Sequence, residues 1–296
     1  MSLDELKKLH QRKHREAQQA FLVEGEHLVL ELQKAAEHDP RLRASELYVT
    51  PEHADWRSPF PVHVIGARQM AQLSETRTPQ GLVARVPILP PPLPRAGELA
   101  ICLHEAQDPG NLGTILRSLA WFGGWRCLLT PGSVDPFNSK VLRASAGAVF
   151  HVPVETEVPL ATLAERFGRI ACLDLQGEPL SSPRLRDFPC YLFGNEARGL
   201  PRELLAAASS SAFTIPGSGA IESLNLATAV SLCVYELQRT ASASACAGAA
   251  ETAATTASTA AAPTATTPAA AAPAATTPAA AAPVAAAPAA AVLAKS

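Results

Sequence analysis

In the stretch IPGSGAIESLNLATAVSLCVYELQ, residues 215–238, a Glu, a Ser and an Asn crowd the start of an apolar helix, just behind two glycines. Glu222, Ser223 and Asn225 can donate, accept or hold a proton, and Gly217 and Gly219 let backbone approach a ligand closely. The plain alternative is that Ser223 or Asn225 is the N-cap, a role that needs only one of them. Two further stretches have the same character. In HEAQDPGNLGTILRSLAWFG, residues 104–123, Asn111 stands at a helix start and Arg117 follows six residues on. Arg117 sits beside Leu116 and Leu119 in an apolar helix, so it is expected to be partly buried and to need a partner. In YLFGNEARGLP, residues 191–201, an apolar strand runs into Gly194, Asn195 and Glu196, then Arg198–Gly199. A cap, a solvated helix residue and a turn are the plain alternatives for Asn111, Arg117 and the 194–199 loop. Such groups orient substrates and manage protons without a metal, and no cluster with metal-ligand spacing is present. A dinucleotide loop is also disfavoured. G-x-G-x-x-G would need glycine where Glu222 stands, and no P-loop lysine follows.

The elements that must hold these loops are legible from residue 98 onward. ELAICLHEA, WRCLLT, VFHVPV, RIACLDL, CYLFG and AFTIP read as strands. Helical NLGTILRSLAWFG, SKVLRASAG, PLATLAERFG, PRELLAAA and 224–239 alternate with them. Apolar strands alternating with helices predict an α/β fold with a mostly parallel sheet covered on both faces. Ligands in such sheets sit beyond the carboxyl ends of the strands, where the three polar stretches fall. Before residue 87 a smaller α/β unit is expected. Helical periodicity covers 3–20 and 26–37, ELYVT, VHVIG and GLVARV read as strands, and ARQMAQLSET as a helix. PILPPPLPRAG, residues 87–97, carries five prolines and reads as a stiff connector that keeps the two units apart.

Taken in order, NLGTILR, LFGNEARGLP and IPGSGAIESLNLATAVSLCVYE resemble the SpoU (TrmH-type) family of RNA ribose 2′-O-methyltransferases, within the SPOUT superfamily. The resemblance covers 98–240 and extends through FLVEGEHLVLE and TPQGLVARV to the RNA-binding domain found in many members. It implies a C-terminal trefoil knot, a homodimer formed through the C-terminal domain, and S-adenosyl-L-methionine held mainly by backbone of the last loops. Gly194, Ile215 and Leu224 match the family's cofactor-contacting positions. Arg117 matches the arginine assigned to activating the ribose hydroxyl, as a base or as a phosphate clamp. The resemblance further implies that Asn111 holds Arg117 or the ribose, and that Glu196 contacts the cofactor or an arginine across the dimer. Ser223 and Asn225 would order the loop and the reacting hydroxyl. Two domains favour ribosomal over transfer RNA by fold analogy. A non-catalytic RNA-binding protein of the same fold is the rival, and cofactor binding separates the two.

Bulk properties agree with a folded core followed by a tail. Net charge is −2, so no global basic signal exists. KKLHQRKHR, residues 7–15, is a local exception, with Lys8, Arg12, Lys13 and Arg15 as candidate RNA-phosphate contacts or as an ordinary solvated face. The six cysteines form no C-x-x-C pair and read as reduced thiols. The N-terminus has no apolar signal core, no run is long enough to span a membrane, and a cytoplasmic location is expected. From 241 to 296 the chain is nearly all Ala, Thr, Ser and Pro, with a proline every five residues from Pro263 to Pro288. That composition predicts a disordered tail. The expected domains are therefore 1–86, the linker 87–97, 98–240 and the tail 241–296.

Overall fold

The computed structural model describes residues 2–76, 78–202 and 210–239. The tail 241–296, and the helix expected at PRELLAAA from residue 203 on, lie outside the described residues.

The N-terminal unit begins with α1 (Leu3–Lys8), capped by Ser2 with Glu5 closing the box, and α2 (Arg12–Gln18). The helix expected over 3–20 is thus broken at residues 9–11 and ends where Gln19 turns left-handed at φ 47°. The chain then enters β1 (Ala20–Glu24), a strand in the short apolar run that the two helical stretches expected over 3–20 and 26–37 left unassigned. Gly25 separates the two. Its φ of 99° suits glycine, and a Cβ there would meet Gln80 Oε1 at 2.6 Å. After α3 (Glu26–His38) come β2 (Glu46–Val49), β3 (Val62–Val64), α4 (Ala67–Leu73) and β4 (Leu82–Pro87). The sheet order is β1-β4-β2-β3.

The C-terminal unit contains β5 (Leu99–Leu103), α5 (Pro109–Phe122), β6 (Trp125–Leu129), α6 (Ser139–Ser145), β7 (Val154–Glu155), α7 (Thr162–Phe167), β8 (Ile170–Pro179), β9 (Cys190–Phe193) and β10 (Ser210–Thr214). The last helix among the described residues, α8, covers residues 226–239. The six strands are all parallel, in the order β10-β8-β9-β5-β6-β7. VFHVPV gives only the two-residue β7, preceded by a 3-10 turn at Ala148–Phe150. The reason is a competing contact, since Val149 and Phe150 pack against the core of the N-terminal unit.

The proline connector does not hold the units apart. Leu142 of α6 is buried in the core of the N-terminal sheet, and the rings of Phe21 and Phe137 lie 4.6 Å apart. Both sheets belong to one compact unit. Arg126 anchors the connector. It is 2% exposed and donates to Glu98 (2.9 Å), Glu155 (2.8 Å) and the Pro92 carbonyl (2.8 Å). Burying such a charge is tolerable only when every donor finds a partner.

Candidate active site

In a parallel sheet every strand delivers its following loop to the same edge. Here the chain passes from β5 outward through β6 and β7, then returns on the other side through β8 and β9. The β5–β9 boundary is therefore the topological switch point, where the loops after the two strands diverge and leave a crevice. The 104–108 loop leaves β5 at that edge and the 194–200 loop leaves β9. Gly194 lets the second loop fold back on itself, because a Cβ there would lie 2.4 Å from the Gly199 carbonyl carbon.

Three of the predicted residues meet in one hydrogen-bonded chain. Asp108, not Asn111, caps α5, its carboxylate accepting from Asn111 N at 2.7 Å. The D-P pair at 108–109 carries that signal in the sequence, a cap followed by proline at the first helical position. Freed from capping, Asn111 donates from Nδ2 to Glu196 Oε1 (3.3 Å) and accepts at Oδ1 from Asn225 Nδ2 (2.8 Å). Asn225 is also the cap of α8, since its Oδ1 accepts from Ala227 N (2.9 Å) and Thr228 N (3.2 Å). Capping and site membership are therefore compatible, and capping fixes the polarity of the chain. The Asn225 oxygen must face the backbone donors, so its NH2 faces Asn111. Asn111 then turns its own NH2 to Glu196, whose Oε1 accepts. The Gln107 N–H also faces Glu196 Oε2, at 3.5 Å.

The other predicted residues are placed differently. Ser223 and Glu222 are exposed, with no partner among the described residues. Leu224 is exposed, while Ile215 is half-buried against the main core. The backbone N–H groups of 217–219 and 221–224 donate to nothing among the described residues. This loop presents free donors beside apolar side chains, a set suited to a ligand with an adenine face and a polar tail.

Arg117 departs from expectation. Ile115, Leu116 and Leu119 turn into the core, and Arg117 lies on the opposite, solvent face of α5 with no partner among the described residues. Six residues of helix displace it by about 9 Å along the axis from Asn111, so it does not join the Asn111 chain. Its neighbour one turn on, Trp121, is 85% exposed. Beside it α8 presents Leu232 and Tyr235, with Ser118 and Ser231 hydroxyls 2.8 Å apart across the two helices.

The basic N-terminal set divides. Arg15 is 4% exposed and donates to Asp135 (2.9 Å) and to the Leu9 and His10 carbonyls. Arg12 bonds Glu16 and Glu157, each at 2.7 Å, and these two partners push its pKa up. Arg15 docks one unit on the other and is not free to meet RNA, and Arg12 is half committed. Lys7, Lys8 and Lys13 remain exposed. A cavity of about 660 Å³ lies under the connector at the amino ends of β5–β7, away from these residues. The polar chain converges at the switch-point edge, which makes that edge the candidate site.

Comparison with known proteins fits this geometry. The SpoU rRNA Methylase family pattern matches residues 98–235, and an MRM3-like substrate binding domain pattern matches 2–84. A 23S rRNA guanosine 2′-O-methyltransferase of Bacillus subtilis is 32% identical over 78% of this chain and 94% of its own. A tRNA/rRNA methyltransferase of Synechocystis, itself uncharacterised, is 33% identical over 79% of this chain and 89% of its own. Among solved structures, a Porphyromonas gingivalis protein described as of the TrmH family superposes with TM-score 0.69 at 34% identity, covering 80% of this chain and 96% of that one. An AdoMet-bound rRNA methyltransferase from Sinorhizobium meliloti gives TM-score 0.69 at 26% identity, covering 80% and 94%. With relatives of this similarity matched along both units, the chain belongs to the SpoU rRNA methylase family.

Proposed function

We propose that the protein transfers a methyl group from S-adenosyl-L-methionine to a ribose 2′-hydroxyl of ribosomal RNA. The observation that carries this reading is the Asn225–Asn111–Glu196 chain at the switch point of a SpoU-family sheet. The cofactor, when bound, supplies an activated methyl group. Gly194, Ile215, Leu224 and the unbonded N–H groups of the 217–224 loop would hold it. Glu196 is a fixed acceptor at the rim of that loop, and Asn111 and Asn225 hold it in register. Ser223 has a free hydroxyl to offer the reacting ribose. A guanidinium is protonated at any physiological pH and so is a poor base. Arg117 therefore serves as a two-pronged clamp on the phosphate next to the target ribose.

The exposed Trp121, Leu232 and Tyr235 support a homodimer through α5 and α8, because a second copy would cover them. Arg117 shares this face, so on this reading it acts at the junction of two copies, completing a site that one chain leaves open. We also read the C-terminal unit as carrying the trefoil knot of the family, and 1–86, 87–97 and 98–240 as the chain's working divisions. A cytoplasmic location is supported by five buried, unpaired cysteines among the described residues. The test is incubation with labelled S-adenosyl-L-methionine and ribosomal RNA. Label should enter at a 2′-oxygen, making the adjacent phosphodiester resistant to alkali. Label confined to bases, or none, would sink the proposal.

RNA grip by the N-terminal unit follows from its remaining cations. Changing Lys7, Lys8 and Lys13 together to Gln should weaken RNA binding and flatten its log–log salt dependence by about 0.7–0.9 per lost phosphate contact. Affinity and slope unchanged from wild type would leave these lysines as an ordinary solvated face.

A further inference from the structure

Asn195 is 8% exposed and makes bonds from every polar group it has. Its backbone N–H and C=O pair with Gly199 O (3.0 Å) and Gly199 N (2.9 Å), closing the loop after β9. Its Oδ1 accepts from Ala197 N and Arg198 N, both at 3.0 Å. Those two bonds fix the orientation of the amide, so Nδ2 must donate outward. It does so to the Glu105 carbonyl at 2.8 Å, in the loop after β5. Glu105 is itself pinned. Its φ is +49°, rare for a residue with a side chain, its N–H donates to Thr130 Oγ1 at 2.9 Å, and its carboxylate pairs with Arg198. One loop carries Glu196. The other leads into the turn of α5 that carries Asn111.

We infer that Asn195 is a positioning residue for the reaction, acting through Glu196. By tying the β9 loop to Glu105 it sets the distance across which Glu196 meets Asn111 and the Gln107 N–H. At 3.3 and 3.5 Å those contacts have little slack, so a small shift of the loop breaks them. Such shifts are costly in catalysis while leaving the fold intact. This inference rests on the proposed role of Glu196.

The test is a double-mutant cycle on the full chain with methyl transfer as readout. Asn195→Asp keeps Oδ1 for the Ala197 and Arg198 donors, so the turn survives, and sets a second oxygen against the Glu105 carbonyl in place of the donor, so the tie across the loops is lost. Asn195→Ala removes both. Each should lower kcat about tenfold or more, with KM for S-adenosyl-L-methionine within about twofold. In a Glu196→Gln background, Asn195→Asp should lower kcat by less than about twofold, because the group it positions is already disabled. Wild-type kcat in Asn195→Asp, or a full tenfold loss in both backgrounds, would overturn the inference and leave the role of Glu196 standing. Wild-type kcat in Glu196→Gln alone would overturn both.

Discussion

Replacing Arg117 with Ala is expected to lower methyl transfer by about 10²–10³-fold, the loss typical of removing one aimed donor from a reaction site. Stability should hold, because the side chain is on the solvent face of α5 and has no partner among the described residues. Surface changes of that kind stay within about 0.5 kcal/mol. Cofactor affinity should also hold, since the free N–H groups of the 217–224 loop are built by other elements. Arg117→Lys should recover only part of the activity, because an ammonium keeps the charge but not the planar fork. Turnover with labelled cofactor, calorimetric cofactor binding and a melting curve separate these effects. Wild-type turnover in Arg117→Ala would remove Arg117 from the mechanism.

Stability should suffer most at Arg126. Arg126→Met deletes a buried cation and leaves Glu98 and Glu155 facing each other without it. Breaking a buried pair from one side typically costs about 3–5 kcal/mol. The Pro92 carbonyl also loses its donor, which releases the connector from the edge of the sheet. Arg166 bonds Glu155 at 2.6 and 2.7 Å and compensates that carboxylate, so Glu98 is the exposed liability of the variant. Adding Glu98→Gln should recover part of the loss. Arg166 first, and Arg126 after it, hold the Glu155 carboxyl below the ordinary range. Its contribution is therefore complete near neutral pH and is lost as pH falls through the lowered value. Urea unfolding followed from neutral to acid pH measures both effects. A variant as stable as wild type at pH 7 would show that the network is neutral.

Most of the C-terminal sheet, the edge to which its polar loops are delivered, and most of the chain of polar groups there were legible in the sequence. Those features are written locally. Apolar strands alternate with helices over a few residues, and Asn111, Glu196 and Asn225 each stand just after a strand or at a helix start. Tertiary structure decided what long-range partners control. Arg15 has the pattern of a phosphate contact, yet its acceptor, Asp135, lies 120 residues away, and only folding shows that the charge is already spent. Arg117 sits between leucines in the sequence, but the rotation of α5 against the core turns it outward. β1 falls between the two expected helices and went unassigned, because a short apolar run has no period of its own until β4 pairs with it. Asn195 read as a turn residue, and it is one. Its donor to Glu105 joins two strands that are neighbours only in the sheet, at a separation of 90 residues. Local pattern records what a residue can do, and packing selects which of those capacities remains free, because a donor or a charge committed to one buried partner is unavailable to another.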